Sequence, residues 1–305
     1  MKPINGRACF NFRSSIWKVE TQLSRLDEWF PRPQFNPETQ SLKVLSCWIV
    51  IDPYEPDPNA NRVETVLVTG SSGKIGQAVV RELLQRGHQV VGLDPVSKPI
   101  PQTLFQADLS NIPLLQKALH GVSCLIHLAA TPDDADFQGL LLPNNLVGVH
   151  NLFECARDAR IPRILLASSG QVNWWQQHTG PFPIQTTDPI SPKSWYAATK
   201  VFMEAAGRSY SEQTGRTVIS IRLGWCPRPG QEREIAESDW AQNVYLSSGD
   251  AGRFFALAVE TNPLPAYSVL FATSRPRHRA HLDLSPSQSL LGYTPQDTWP
   301  QGLES

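Results

Sequence analysis

From Glu64 onward, apolar positions along this chain alternate between two textures. Short unbroken runs rich in β-branched residues occur at 65–69, 89–93, 124–128, 163–167 and 217–222, where the series closes. Runs of that length without polar alternation read as strands buried on both faces. Between them lie stretches with helical spacing: Ile75 to about Arg86, ended by Gly87, then Pro113–His120, Asn145–Ala159, and a helix beginning near Ser194. Strand and helix repeating in this way predict an α/β fold, a doubly wound parallel sheet with helices on both faces.

Residues 1–62 carry no such rhythm. Prolines at 31, 33, 37, 53, 56 and 58 punctuate them, and only Leu42–Ile51 reads as a short strand. The expected organisation is an irregular N-terminal extension over 1–62, in part disordered or the product of a start codon assigned too early, and a cofactor-binding domain over 63–305. Within that domain, substrate-binding elements are expected mainly in a small C-terminal part, 223–305. Lys2, Arg7, Arg13 and Lys18 precede the first acid, Glu20, but they are sparse and no amphipathic helix follows, which disfavours a transit peptide.

Composition narrows the function classes. A formal net charge of −1 offers no basic surplus for nucleic acid. No apolar run approaches the roughly 18 residues that span a bilayer, so no membrane partner is expected. The cysteines at 9, 47, 124, 155 and 226 are odd in number and form no CxxC pair, which favours a reducing compartment, the cytoplasm. Cys124 and Cys155 read as core residues. His278 and His281 lack a neighbouring carboxylate or thiol to complete a metal site, and no metal is expected.

The sharpest local signal is Gly70-Ser71-Ser72-Gly73-Lys74-Ile75-Gly76, which leaves a predicted strand and opens a predicted helix. Gly70 permits the tight turn, Gly73 lets the backbone approach a pyrophosphate, and Gly76 lets helix and strand pack closely. The helix N-terminus adds unpaired N–H groups and partial positive charge. Asp94 ends the next strand, roughly 20 residues on, where a carboxylate accepts hydrogen bonds from the adenosine ribose and repels a 2′-phosphate. The expected fold is therefore of Rossmann type. The expected cofactor is NAD rather than NADP, although Lys98 is near. Further along, Tyr196 and Lys200 stand four residues apart, on one helix face. A neighbouring ammonium lowers a phenol's pKa, which makes Tyr196 an acid or base usable near neutral pH.

Taken in order, the glycine turn, Asp94, Asp108-Leu109, Leu128-Ala129-Ala130, Asn145, Ser168-Ser169 and Tyr196/Lys200 resemble the extended short-chain dehydrogenases, the NAD-dependent epimerase/dehydratase family. The resemblance runs from about Val63 to the C-terminus. It implies that Asp108 and Leu109 flank the adenine, that Leu128, Ala129 and Ala130 line the cofactor, and that Asn145 sits behind the lysine in a proton relay. It implies further that Ser169 orients the substrate oxygen, Tyr196 exchanges the proton, and Lys200 also holds the nicotinamide ribose. Ser168 is assigned to packing or a ribose contact. A dimer through the tyrosine-bearing helix would fit the family by analogy.

The short stretch after Tyr196 leaves little room for a nucleotide-binding lobe, so a small substrate is expected. Gly170-Gln171 replaces the Asp-Glu that the family's dehydratases place after the catalytic serine or threonine, which disfavours elimination. The segment Arg222–Pro227, Arg233, Asp239-Trp240 and the ending Leu291–Asp297 look like uronate dehydrogenases, which oxidise C1 of a free sugar acid. By that resemblance Arg233, or Arg228 as the alternative, grips a substrate carboxylate, and Thr131, Ser169 and Gly170 touch the substrate. Pro132 stands where those enzymes have a serine, and Gly170-Gln171 where they have Asn-His, which leaves the substrate open. Trp174, Trp175 and His178 either roof the sugar or pack their own loop. The expected function is NAD-dependent hydride transfer from a sugar or sugar-acid carbon. The rivals are an NAD-dependent sugar epimerase and a dinucleotide-sensing protein without activity.

Overall fold

The computed structural model describes residues 63–98 and 103–303. The expectations for 1–62 therefore lie outside the described residues. Seven strands form one parallel sheet: β1 (Thr65–Thr69), β2 (Gln89–Asp94), β3 (Thr103–Gln106), β4 (Cys124–His127), β5 (Arg163–Ser169), β6 (Thr217–Leu223) and β7 (Tyr267–Ala272). Their order is β3-β2-β1-β4-β5-β6-β7, every neighbouring pair parallel. The winding reverses between β1 and β4, which opens a crevice at their carboxyl ends.

The strands lack polar alternation because both sheet faces are covered. Val66 and Val68 point into one core, with α1 (Lys74–Gln85) and a later helix, α8 (Ser248–Glu260). Leu67, between them, points into the other, with α2 (Ile112–Ala118), α3 (Gly148–Asp158) and α5 (Trp195–Thr214). Each fully buried Val or Leu contributes roughly 1.5–3 kcal/mol.

Two strands escaped the sequence reading. β3 has four residues and half-exposed apolar positions at the sheet edge. β7 continues the sheet beyond β6, where the series was expected to close. The segment 223–305 is thus more than a substrate-binding part. It returns to complete the sheet, and α8 covers one face against α1, so closely that a Cβ on Gly252 would stand 3.0 Å from the Ala78 carbonyl oxygen. Fully buried Asp250 fastens the end of this segment. Its carboxylate accepts from Arg253, Ser274 and the amides of Gln296 and Asp297.

The helix expected from Asn145 starts earlier. A π-helical stretch, Phe137–Val147, is capped by the Asp136 side chain and runs into α3. A 3-10 turn, Gly170–Asn173, and the short helices α4 (Gln176–Thr179), α6 (Glu232–Ala236), α7 (Asp239–Asn243) and α9 (Ser285–Leu291) complete the described elements. α5 is bounded as its sequence dictates: Ser194 caps the first turn by accepting from the Ala197 amide, and Gly215 ends it in the left-handed conformation.

Candidate active site

A cleft of about 500 Å3 opens at the carboxyl edge of the sheet. One wall is the glycine turn between β1 and α1. A Cβ on Gly76 would stand 2.1 Å from the Gly70 carbonyl oxygen, and Gly70 itself has φ +72°. No side chain caps α1, and its first turn holds no acid. Gly70, Gly73, Lys74, Ile75 and Gly76 all line the cleft. A bare helix N-terminus behind a turn this tight suits a diphosphate. Asp94 braces the turn from below, one oxygen accepting from the Ser72 amide at 3.0 Å and the other from the Val96 amide at 2.9 Å. The residues thus fit a dinucleotide.

The same cleft gathers the residues expected to carry the proton chemistry. Ser169 ends β5, and Tyr196 and Lys200 lie on the first turns of α5. All three line the cleft. Burial pushes the Tyr196 phenol up to about 12, with the neighbouring Ser169 hydroxyl favouring the phenolate and opposing the rise only in part. The expected help from Lys200 is not realised. Its ammonium stands 5.7 Å from the tyrosine ring centroid and donates to the Ala167 carbonyl oxygen at 2.8 Å. Lys200 is itself brought down to about 8 by burial, against the opposing charge of Glu204.

Glu204 was missed in the sequence, although its spacing from Lys200 repeats that between Tyr196 and Lys200. Its carboxylate forms a two-pronged pair with Arg222 on β6, at 2.9 and 2.8 Å, both side chains buried. Ser168 donates to the same carboxylate at 2.5 Å, so Ser168 packs into this network. Arg222 spends its remaining nitrogen on Asn173 and the Thr186 carbonyl. His127, on β4, is buried beside Lys200. Its Nδ1 meets the Thr69 hydroxyl at 2.8 Å, and burial holds the ring down at about 3 and therefore neutral.

Other expected residues fall elsewhere. Leu128, Ala130 and Gly170 reach the cleft. Ala129 packs against the core beside Leu109, which is buried; Asp108 is exposed and turned to Ser110. Asn145 makes no bond to Lys200. Its amide clamps both backbone groups of Thr131, at 2.8 and 3.0 Å, and reaches the Thr199 hydroxyl. Thr131 thus serves as the root of a loop whose next residues, Pro132 and Asp133, line the cleft.

Arg233 does not reach the cleft. It is 88% exposed and pairs with Glu237 one turn along. The alternative, Arg228, lines the cleft and is ion-paired with Asp133 across it. Trp174 lines the cleft with the Lys193 ammonium 4.1 Å from its ring, whereas exposed Trp175 meets the His178 ring at a tilt, centroids 5.8 Å apart. Among the described residues no cluster suits a metal ion, and no helix is long and apolar enough to cross a membrane.

Sheet order, a bare helix terminus and a cleft lined by a serine, a tyrosine and a lysine define an α/β protein of the dinucleotide-binding class. Comparison with known proteins gives the class a name: residues 66–234 match the NAD dependent epimerase/dehydratase family, and the chain belongs to it. It is 27% identical to an L-arabinose 1-dehydrogenase (NAD(P)(+)) of Haloferax volcanii, over 76% of this chain and 96% of that one. It is 26% identical to a uronate dehydrogenase of Pseudomonas putida, over 76% and 84%. In structure it resembles a glucuronic acid dehydrogenase from Chromohalobacter salexigens, with TM-score 0.65 and 26% identity over 78% of this chain and 86% of that one.

Proposed function

We propose that this protein is an NAD-dependent dehydrogenase that oxidises a hydroxyl-bearing carbon of a small sugar or sugar acid, in the cytoplasm. The observation that carries the reading is the gathering of Ser169, Tyr196 and Lys200 in the same cleft as the glycine turn. NAD, when bound along that turn, supplies the hydride acceptor. Gly73 and the first amides of α1 hold its diphosphate, Asp94 its adenosine ribose, and Lys200 its second ribose. Ser169 orients the substrate hydroxyl, and Tyr196 takes its proton. The Ser169 hydroxyl beside Tyr196 acts against burial and favours the phenolate that this step needs. Trp174 offers an aromatic face to the sugar ring.

The test is NADH formation by the purified protein with a panel of free aldoses and free uronic acids. Net NADH release with members of either class is expected. Interconversion of two sugars with the cofactor retained and no net NADH would transfer the assignment to an epimerase. Silence towards every sugar, with NAD bound, would leave a dinucleotide sensor.

A further inference from the structure

Among the described residues lining the cleft, Arg228 carries the sole guanidinium, and its charge is already matched within the chain. The partner, Asp133, comes from the loop after β4, whereas Arg228 comes from the loop after β6. Both side chains are about half-exposed, so the pair is reachable by a ligand.

Each loop is held from behind. On one side, Asn145 fixes both backbone groups of Thr131, and the Asp134 carboxylate accepts the Tyr196 amide at 3.3 Å. Asp133 between these anchors sits at φ +58°, a left-handed conformation that aspartate tolerates better than most residues. On the other side, the Pro227 carbonyl accepts from Lys74 at 3.1 Å, and Arg228 exchanges two hydrogen bonds with Gln231. The ion pair is therefore a preformed strap between two anchored loops. Of the other charged groups at the cleft, Lys74 is spent on Pro227, Lys193 lies over Trp174, Lys200 donates to the Ala167 carbonyl, and Glu234 adds a second negative charge on the Arg228 side.

We infer that the Asp133–Arg228 pair selects an uncharged sugar over the corresponding sugar acid. This rests on the dehydrogenase reading above. A guanidinium fork is the natural receptor for a substrate carboxylate, but Asp133 fills that role internally. An incoming uronate must displace Asp133 and then lie beside it, like charge against like. A neutral sugar leaves the pair intact, its hydroxyls accepting from Arg228 and donating to Asp133.

The experiment compares kcat/KM for matched substrates that differ only at C6, D-galactose with D-galacturonate and D-glucose with D-glucuronate. It uses the wild-type chain, Asp133→Asn, and Asp133→Asn combined with Arg228→Met. The wild type should favour the neutral sugar by about tenfold or more. Asp133→Asn should raise the uronate-to-aldose ratio about tenfold, mainly through a lower uronate KM, and the added Arg228→Met should abolish that gain. Asp133→Ser replaces the asparagine variant if melting shows the latter unfolded. A wild-type preference for uronates, or a ratio unmoved by removal of Asp133, overturns the inference and leaves the dehydrogenase reading intact. No NADH with any sugar, by contrast, removes both.

Discussion

The glycine turn and the Asp133–Arg228 strap line one cleft, yet they are built by different means. The turn is backbone: carbonyls and amides packed so tightly that Gly76 has no space for a methyl group, with Asp94 bonded to main-chain amides beneath. The strap is side chain: two charges from loops far apart in sequence, each positioned by other side chains. A site made of backbone is set by a short contiguous string and tolerates little change. A site made of paired side chains can be retuned one residue at a time.

The largest effect expected from separating the halves is Tyr196→Phe. It should cut turnover roughly 10²- to 10⁴-fold while NAD affinity, measured by titration, stays near the wild-type value. Joint loss of both would mean that the halves are not separable. In the unaltered protein the phenol, raised to about 12, is protonated at neutral pH, so oxidation should climb with pH as the phenolate fraction grows. The climb should flatten near pH 8, where Lys200 loses its charge and with it part of the hold proposed for it on the second ribose of NAD.

Next is Glu204→Gln, which strands the buried Arg222 charge. The expected loss is about 3–5 kcal/mol of stability in urea unfolding. Because Glu204 raises the Lys200 pKa, the flattening should also move to lower pH. An unmoved pH profile would reduce Glu204 to a purely structural part. Gly76→Ala tests the backbone half. With 2.1 Å to the Gly70 oxygen, the turn must shift, at a cost of about 1–3 kcal/mol in thermal unfolding, with weaker NAD binding and little change in sugar preference. The smallest effect is expected from Asp94→Ala. Hydrogen bonds to a charged acceptor are worth about 1.5–3 kcal/mol, so the preference for NAD over NADP should narrow roughly tenfold. A wild type that already prefers NADP would contradict the role given to Asp94.

This difference in construction also explains what the sequence could reveal. Five of the strands and the glycine turn were legible because burial on both faces, and phosphate binding by a turn, each leave a local signature. β7 was not: its short apolar run lies between Pro265 and Pro276, and periodicity alone does not separate such a run from a helical one. Asp133 left no signature, because its meaning is Arg228, which arrives only when the loops after β4 and β6 come together. Arg233 and Arg228 were indistinguishable as loop arginines until a helical turn gave Arg233 to Glu237. The phenol's pKa depends on where the Lys200 ammonium points, a matter of tertiary contact with Ala167. Glu204 was within reach of sequence reasoning, one further step along the same helix face.

The amide of Tyr196 hangs on Asp134, the immediate neighbour of Asp133. The loop that discriminates between ligands is thereby geared to the group that moves the proton. A substitution that reshapes one should disturb the other through that bond, so changes of specificity along this lineage should arrive with a toll on speed, recovered later by adjustments around the start of α5.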